Sequence, residues 1–157
     1  MIVYFLFMDN SMERIYVYKT ILATVRAERK IILAAVSSSI ATLLLPDKRT
    51  THSRFYILIV INENLICEIK SDSHIIKLII NISMIIWDEA LMAHRYYFEA
   101  INRSLRDILW YIDSENIYKP LGEKVVLLSR DFRQILPIIP KDWKEEIIQA
   151  SIHKSYL

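Results

Sequence analysis

Glycine is nearly missing from this chain. Gly122 is the only one in 157 residues, where ordinary usage of about 7% would supply about eleven. An intact glycine-rich phosphate loop is therefore ruled out, and so is the G-x-S-x-G elbow of a serine hydrolase. Cysteine is as scarce. Cys67 alone excludes an internal disulfide framework and points to a reducing compartment. It has no histidine nearby, so it reads as a small core residue and no Cys/His metal cluster exists. The net charge is only +2, so no overall positive field argues for nucleic acid. No apolar run reaches the roughly 20 residues of a membrane helix. The nearest, 75–87, is broken by Lys77, Asn81 and Ser83. The apolar opening MIVYFLFM is short, with no basic residues before it and no small-residue cleavage site after it. It reads as a buried strand rather than a signal or an anchor.

What is abundant is apolar residue. They make up 54% of the chain against 24% charged, enough for the core of one domain and too much for disorder. Isoleucine alone occurs 28 times, a choice that suits buried parallel strands. Continuous apolar runs are predicted as strands at 2–7, 31–36, 83–87 and 125–128, with less certain runs at 40–45 and 56–61. Helices are predicted at 12–29, at 73–82 with Ser71 or Asp72 as cap, at 91–112 and at 142–150. In the third of these Phe98, Ile101, Leu105, Ile108 and Ile112 step by three and four along one face. Arg95–Glu99 and Arg103–Asp107 are expected as i,i+4 charge pairs on the other side. Apolar strands separated by helices indicate an α/β fold, a mainly parallel central sheet with helices on both faces.

Three clusters have the composition for chemistry. MIIWDEA, 84–90, delivers the adjacent carboxylates Asp88 and Glu89 at the end of an apolar strand. Ligands of open parallel sheets bind at that end. One carboxylate there could hold hydrated Mg²⁺ while its neighbour orients a water; equally, the two acids could simply open the next helix. LLSRDFRQILPIIP, 127–140, ends a second apolar strand in Arg130, Asp131, Arg133 and Gln134, either a phosphate-sensing cluster or a polar loop capping the sheet. AVSSSIATLLLP, 35–46, and TTHSRF, 50–55, offer hydroxyls, His52 and Arg54 that suit phosphate oxygens or plain helix caps. Charge is uneven: residues 1–55 carry eight Lys/Arg and four Asp/Glu, a balance of +4, which hints at a polyanion or is ordinary solvated surface.

These segments, with IYVYKTIL (15–22), YFEAINRSLRDIL (97–109) and QASIHKSYL (149–157), occur in an order that resembles the petite-integration-frequency family of ATP-dependent DNA helicases, especially the versions carried by Helitron transposons. The resemblance spans nearly the whole chain. It implies a RecA-like P-loop domain that binds ATP and Mg²⁺ and unwinds DNA in repair and recombination. Asp88 matches the Mg²⁺-binding acid and Glu89 the acid that activates water. Gln134 matches the γ-phosphate sensor, with Asp131 and Arg133 in the same motif. Ser37, Ser38, Thr51, His52 and Arg54 fall in regions expected near single-stranded DNA. The same kinship implies a nuclear location, or a mitochondrial one; no membrane partner is expected, because no apolar run is long enough to span one.

The departures lie in the phosphate loop. Where the family has G-x-x-x-x-G-K-T, this chain reads Met8-Asp9-Asn10-Ser11-Met12-Glu13-Arg14-Ile15. Met8 and Glu13 replace the glycines, Arg14 stands at the lysine position, and Ile15 replaces the Mg²⁺-binding threonine. Ser129 and Arg130 replace two further glycines. Residues 1–157 are expected to form a single partial N-terminal motor domain without the second RecA-like domain. Little or no ATP hydrolysis is expected. A nucleic-acid-binding remnant without catalysis is the alternative.

Overall fold

Among the described residues five strands, all parallel, form one sheet, and four of them begin where an apolar run begins, the two-residue Arg49–Thr50 being the exception. The computed structural model describes residues 2–7, 11–37, 49–57, 61–69, 73–130, 137 and 144–156. Strand β1 is Ile2–Phe7, β2 Ile31–Val36, β3 Arg49–Thr50, β4 Ile82–Asp88 and β5 Val125–Arg130. Their order across the sheet is β1-β5-β4-β2-β3, with Ala35 opposite Trp87 and Trp87 opposite Leu128. The helices are α1 (Ser11–Ala27), α2 (Thr51–Phe55), α3 (His74–Asn81), α4 (Arg95–Trp110) and α5 (Lys144–Gln149). The parallel α/β layout matches expectation, and helices cover both faces. On one face Tyr18 of α1 is buried against Ile86 and Leu127, with Leu6, Ile15 and Met84 packed around them. On the other, Ile85, Trp87 and Leu128 meet Phe98, Ile101 and Leu105 of α4. Strands β4 and β5, covered on both sides, have no polar face to show, hence their unbroken apolar runs. The expectation of a buried strand at the N-terminus needs correction: β1 lies at the edge of the sheet, and Tyr4, Phe5 and Phe7 are about half exposed.

Helix α1 begins with Glu13 in its first turn and ends with Arg26 in its last, both favourable to the helix dipole. It ends at Ala27, and Arg29 just beyond it takes the left-handed conformation (φ 56°) usually left to glycine. The scarcity of glycine reappears here as backbone geometry. Arg29, Tyr56, Glu89, Leu121 and Glu123 all have positive φ, at about 1–2 kcal/mol each. Gly122 itself has φ 58° and packs against Leu109 of α4.

Several expectations need correction. The predicted 91–112 helix is broken: Ala90–Met92 is a 3₁₀ turn, and α4 starts only after His94, whose extended backbone and Nδ1 cap the Tyr96 N–H at 3.2 Å. The expected charge pairs do not form. Glu99 is buried, Arg95 donates to the Lys154 carbonyl at 2.8 Å, and Arg103 donates to the carbonyls of Glu63 and Leu65. Backbone oxygens fixed by tertiary packing won over the flexible partner one turn away. Ile112 is 62% exposed because α4 ends at Trp110. Helix α3 is capped by Ser73, without a side-chain bond; Ser71 and Asp72 lie outside the described residues. The 56–61 run contributes Tyr56 in a left-handed turn and Ile57 in an isolated antiparallel bridge to Cys67, with 58–60 outside the described residues. The 40–45 run also lies outside them. Cys67 is half-buried against the core as expected, and burial pushes its thiol up to about 11. No described helix is long and apolar enough to cross a membrane.

Candidate functional site

The carboxyl ends of β4 and β5 and the first turn of α1 converge on one side chain, Asp88. β4 continues past its apolar run by one residue, and strand alternation turns that residue toward α1 while Trp87 faces α4. The Asp88 carboxylate is buried. Its Oδ1 accepts from the Tyr18 hydroxyl at 3.0 Å, from Ser129 Oγ at 2.5 Å and from the Glu89 N–H at 3.1 Å. Arg14 places its Nε 3.5 Å from the same oxygen, and the two side chains are only 6% and 3% exposed. Burial, and then the charge of Asp88, pushes the Tyr18 hydroxyl far above the usual tyrosine range, so it remains a proton donor.

Neither Tyr18 nor Ser129 stands out in the sequence as a site residue. Tyr18 lies one helical turn beyond Arg14, and that i,i+4 spacing is the one signal that could have paired them. Ser129 carries no such signal. It reaches Asp88 because β5 lies beside β4 in the sheet.

Asp88 ends the strand and Glu89 stands at the N-cap of the 3₁₀ turn that follows, without a side-chain capping bond. Glu89 has φ 56° and ψ 34°, a conformation held here by the bond from its N–H to Asp88 and by its carbonyl accepting from Met92. Ile15, whose side chain supplies no oxygen, packs with Tyr18 and Leu127. Asp131, Arg133 and Gln134 lie outside the described residues, as do Ser38 and Met8 to Asn10.

The segments expected near DNA sit along β2 and α2, and their polar atoms are largely turned inward. The Ser37 hydroxyl accepts from Trp87 Nε1 at 3.0 Å. Thr51 is buried and donates to the Val36 carbonyl at 3.1 Å, and Arg54 Nε donates to the Ala34 carbonyl at 3.3 Å. His52 meets the Tyr97 ring edge-on at 4.8 Å, and burial lowers its pKa. The apolar cavity of about 320 Å³ beneath Phe5, Trp87 and Phe98 opens on the face away from Asp88 and carries little polar character.

A family model described as a PIF1-like helicase matches residues 4–157. The chain belongs to the PIF1-like helicases. Solved structures agree on the fold. Pif1 from Bacteroides bound to single-stranded DNA is 22% identical, with a TM-score of 0.71, over 93% of this chain and 32% of that one. Bacteroides Pif1 in complex with ADP-AlF3 and single-stranded DNA is 21% identical, with a TM-score of 0.75, over 99% and 35%. Pif1 from Candida albicans is 20% identical, with a TM-score of 0.74, over 99% and 33%. The chain thus spans about a third of the length of these solved helicases. No curated protein matches it.

Set within the PIF1-like fold, Asp88 Oδ1 and Ile15 do not fit the Mg²⁺ expected there. Mg²⁺ demands oxygen ligands at about 2.0–2.1 Å in near-octahedral order. Oδ1 already takes three hydrogen bonds and a guanidinium, and Ile15 supplies no oxygen. Two unit charges about 4 Å apart interact by about 4 kcal/mol at an effective dielectric of about 20, and a divalent ion beside Arg14 would be repelled by roughly twice that. Among the described residues no group of three His, Cys, Asp or Glu side chains could hold a metal ion.

Proposed function

We propose that the chain is the first motor domain of an ATP-dependent DNA helicase, in which ATP hydrolysis drives the unwinding of DNA, and that hydrolysis is impaired in this sequence. The observation that carries the reading is the meeting of Asp88, Ser129 and Arg14 where two parallel strands end and a 17-residue helix begins. Strand ends facing a helix start are where nucleotide phosphates bind in this class of sheet. In this reading ATP is the nucleotide, Glu89 orients the attacking water, and Gln134, with Asp131 and Arg133 beside it, senses the terminal phosphate. Arg14 and Ile15 occupy the phosphate loop, and Asp88 stands where the family's Mg²⁺ belongs. The impairment follows from the two lost glycines of that loop and from the closed bonding of Asp88.

Single-stranded DNA is the proposed partner, along Ser37, Ser38, Thr51, His52 and Arg54. A Helitron-type origin, a place in DNA repair and recombination, and a nuclear or mitochondrial location belong to the same proposal. The test is repair of the loop. The variant Met8→Gly/Glu13→Gly/Arg14→Lys/Ile15→Thr is expected to bind ATP in a calorimetric titration and to lose that binding on adding Asp88→Ala. A folded repaired variant with no affinity for ATP would sink the helicase reading.

The +4 balance of residues 1–55 motivates a second reading, a nucleic-acid-binding module without catalysis. Binding of single-stranded DNA without ATP, weakening steeply as salt rises, is its expected signature. Absence of binding at low salt removes it.

A further inference from the structure

The rim holds a positive charge of its own. We propose that Arg14 is the resident cation of this site, standing in for a divalent metal ion, so that the chain neutralises Asp88 without metal. The proposal takes from the helicase reading only the expectation that a metal belongs at Asp88.

Four observations support it. Arg14 and Asp88 are both buried, and Nε lies 3.5 Å from Oδ1, so the carboxylate charge is compensated inside the protein. The same oxygen is filled by hydroxyls from α1 and β5 and by the Glu89 N–H. A metal ion bound at that oxygen would have to displace at least one of these donors, and a buried hydroxyl left without a partner is unfavourable. Ile15, the neighbour of Arg14, turns an apolar side chain into the packing around Tyr18 and supplies no oxygen. Finally, guanidinium is weakly hydrated and permanently charged, which suits it to a buried pair better than the lysine ammonium of the family pattern. Arg14 Nη1 is buried without a hydrogen-bond partner, and Asp88 is the ion-pair partner of the guanidinium among the described residues.

The experiment is a titration with Mn²⁺ alone, read by electron paramagnetic resonance, with no nucleotide and no DNA present. Wild type and Asp88→Ala are expected to take up Mn²⁺ identically. Arg14→Met keeps the apolar stem and removes the charge. It is expected to gain one site, tighter by about tenfold or more, the scale on which neighbouring groups tune metal affinity. Adding Asp88→Ala to it should abolish that site. A wild-type site that disappears in Asp88→Ala would overturn the proposal, and so would a folded Arg14→Met protein that gains none. If Arg14→Met does not fold, wild-type thermal unfolding decides: a midpoint unmoved by millimolar Mg²⁺ supports the proposal, and a rise that vanishes in Asp88→Asn overturns it. Failure here leaves ATP binding by the repaired loop untouched, and failure of that test leaves the Mn²⁺ result standing.

Discussion

Asp88→Asn removes one negative charge while keeping nearly the same shape. The asparagine oxygen can still accept from Tyr18 and Ser129, which donate to it at 3.0 and 2.5 Å in the wild type. What changes is Arg14, whose side chain is 6% exposed and has Asp88 as its ion-pair partner. Stranding a buried charge in this way costs about 3–5 kcal/mol, a large part of the 5–15 kcal/mol typical of a domain. Arg14→Met leaves the carboxylate with three donors and loses one charged interaction, about 1.5–3 kcal/mol. The double variant Arg14→Met/Asp88→Asn has no charge to strand. It should be more stable than Asp88→Asn alone, although it carries one more substitution. Urea unfolding followed by tryptophan fluorescence suits the measurement, since Trp87 precedes Asp88 and stacks on Phe98 with ring centroids 4.2 Å apart. The reasoning is refuted if Asp88→Asn stays within about 0.5 kcal/mol of wild type, the range of an ordinary surface change. It is equally refuted if Arg14→Met fails to restore any of the loss.

Two further outcomes follow from geometry elsewhere. Gly122→Ala would bring its Cβ to 2.3 Å from Leu109 Cδ1 at φ 58°. A loss of about 2–4 kcal/mol is expected from left-handed strain and overpacking together, and an unfolding midpoint equal to wild type would contradict it. His94 caps α4 through neutral Nδ1, and its pKa is lowered by burial and then by Arg95. With the folded value below the unfolded one of about 6.5, the stability it contributes is present above that pH. It is lost as pH falls through the folded value. His94→Asn keeps a capping oxygen and should flatten the acid side of the stability profile; an unchanged slope below neutrality would count against this cap.

The strands were legible because burial on both faces leaves one kind of residue: Ile31–Val36 is a strand over the predicted span, and β4 and β5 extend their predicted cores by only one or two residues. Helix α4 was legible from its period, while its start was not, because the break at His94 depends on an imidazole cap rather than on proline or glycine. Asp88 could be singled out as an acid at a strand end. Its partners could not, since Tyr18 and Ser129 stand 70 and 41 residues away in sequence. Thr51 and Arg54 show the opposite difficulty. Their side chains suit phosphate, yet Thr51 Oγ1 and Arg54 Nε donate to carbonyls of β2. The lack of glycine was plain from composition. Which residues would take the left-handed turns in its place emerged only from the backbone, Glu89 beside Asp88 among them.

The most direct test of the closed rim is a calorimetric titration of Mg·ATP into the wild-type chain, with Asp88→Ala as the control. The expected result is that the two proteins behave alike, because Asp88 is committed to Arg14, Tyr18 and Ser129 rather than to a metal-bound nucleotide. Wild-type binding that is lost in Asp88→Ala would contradict the account and show that the rim still works as a metal-dependent ATP site.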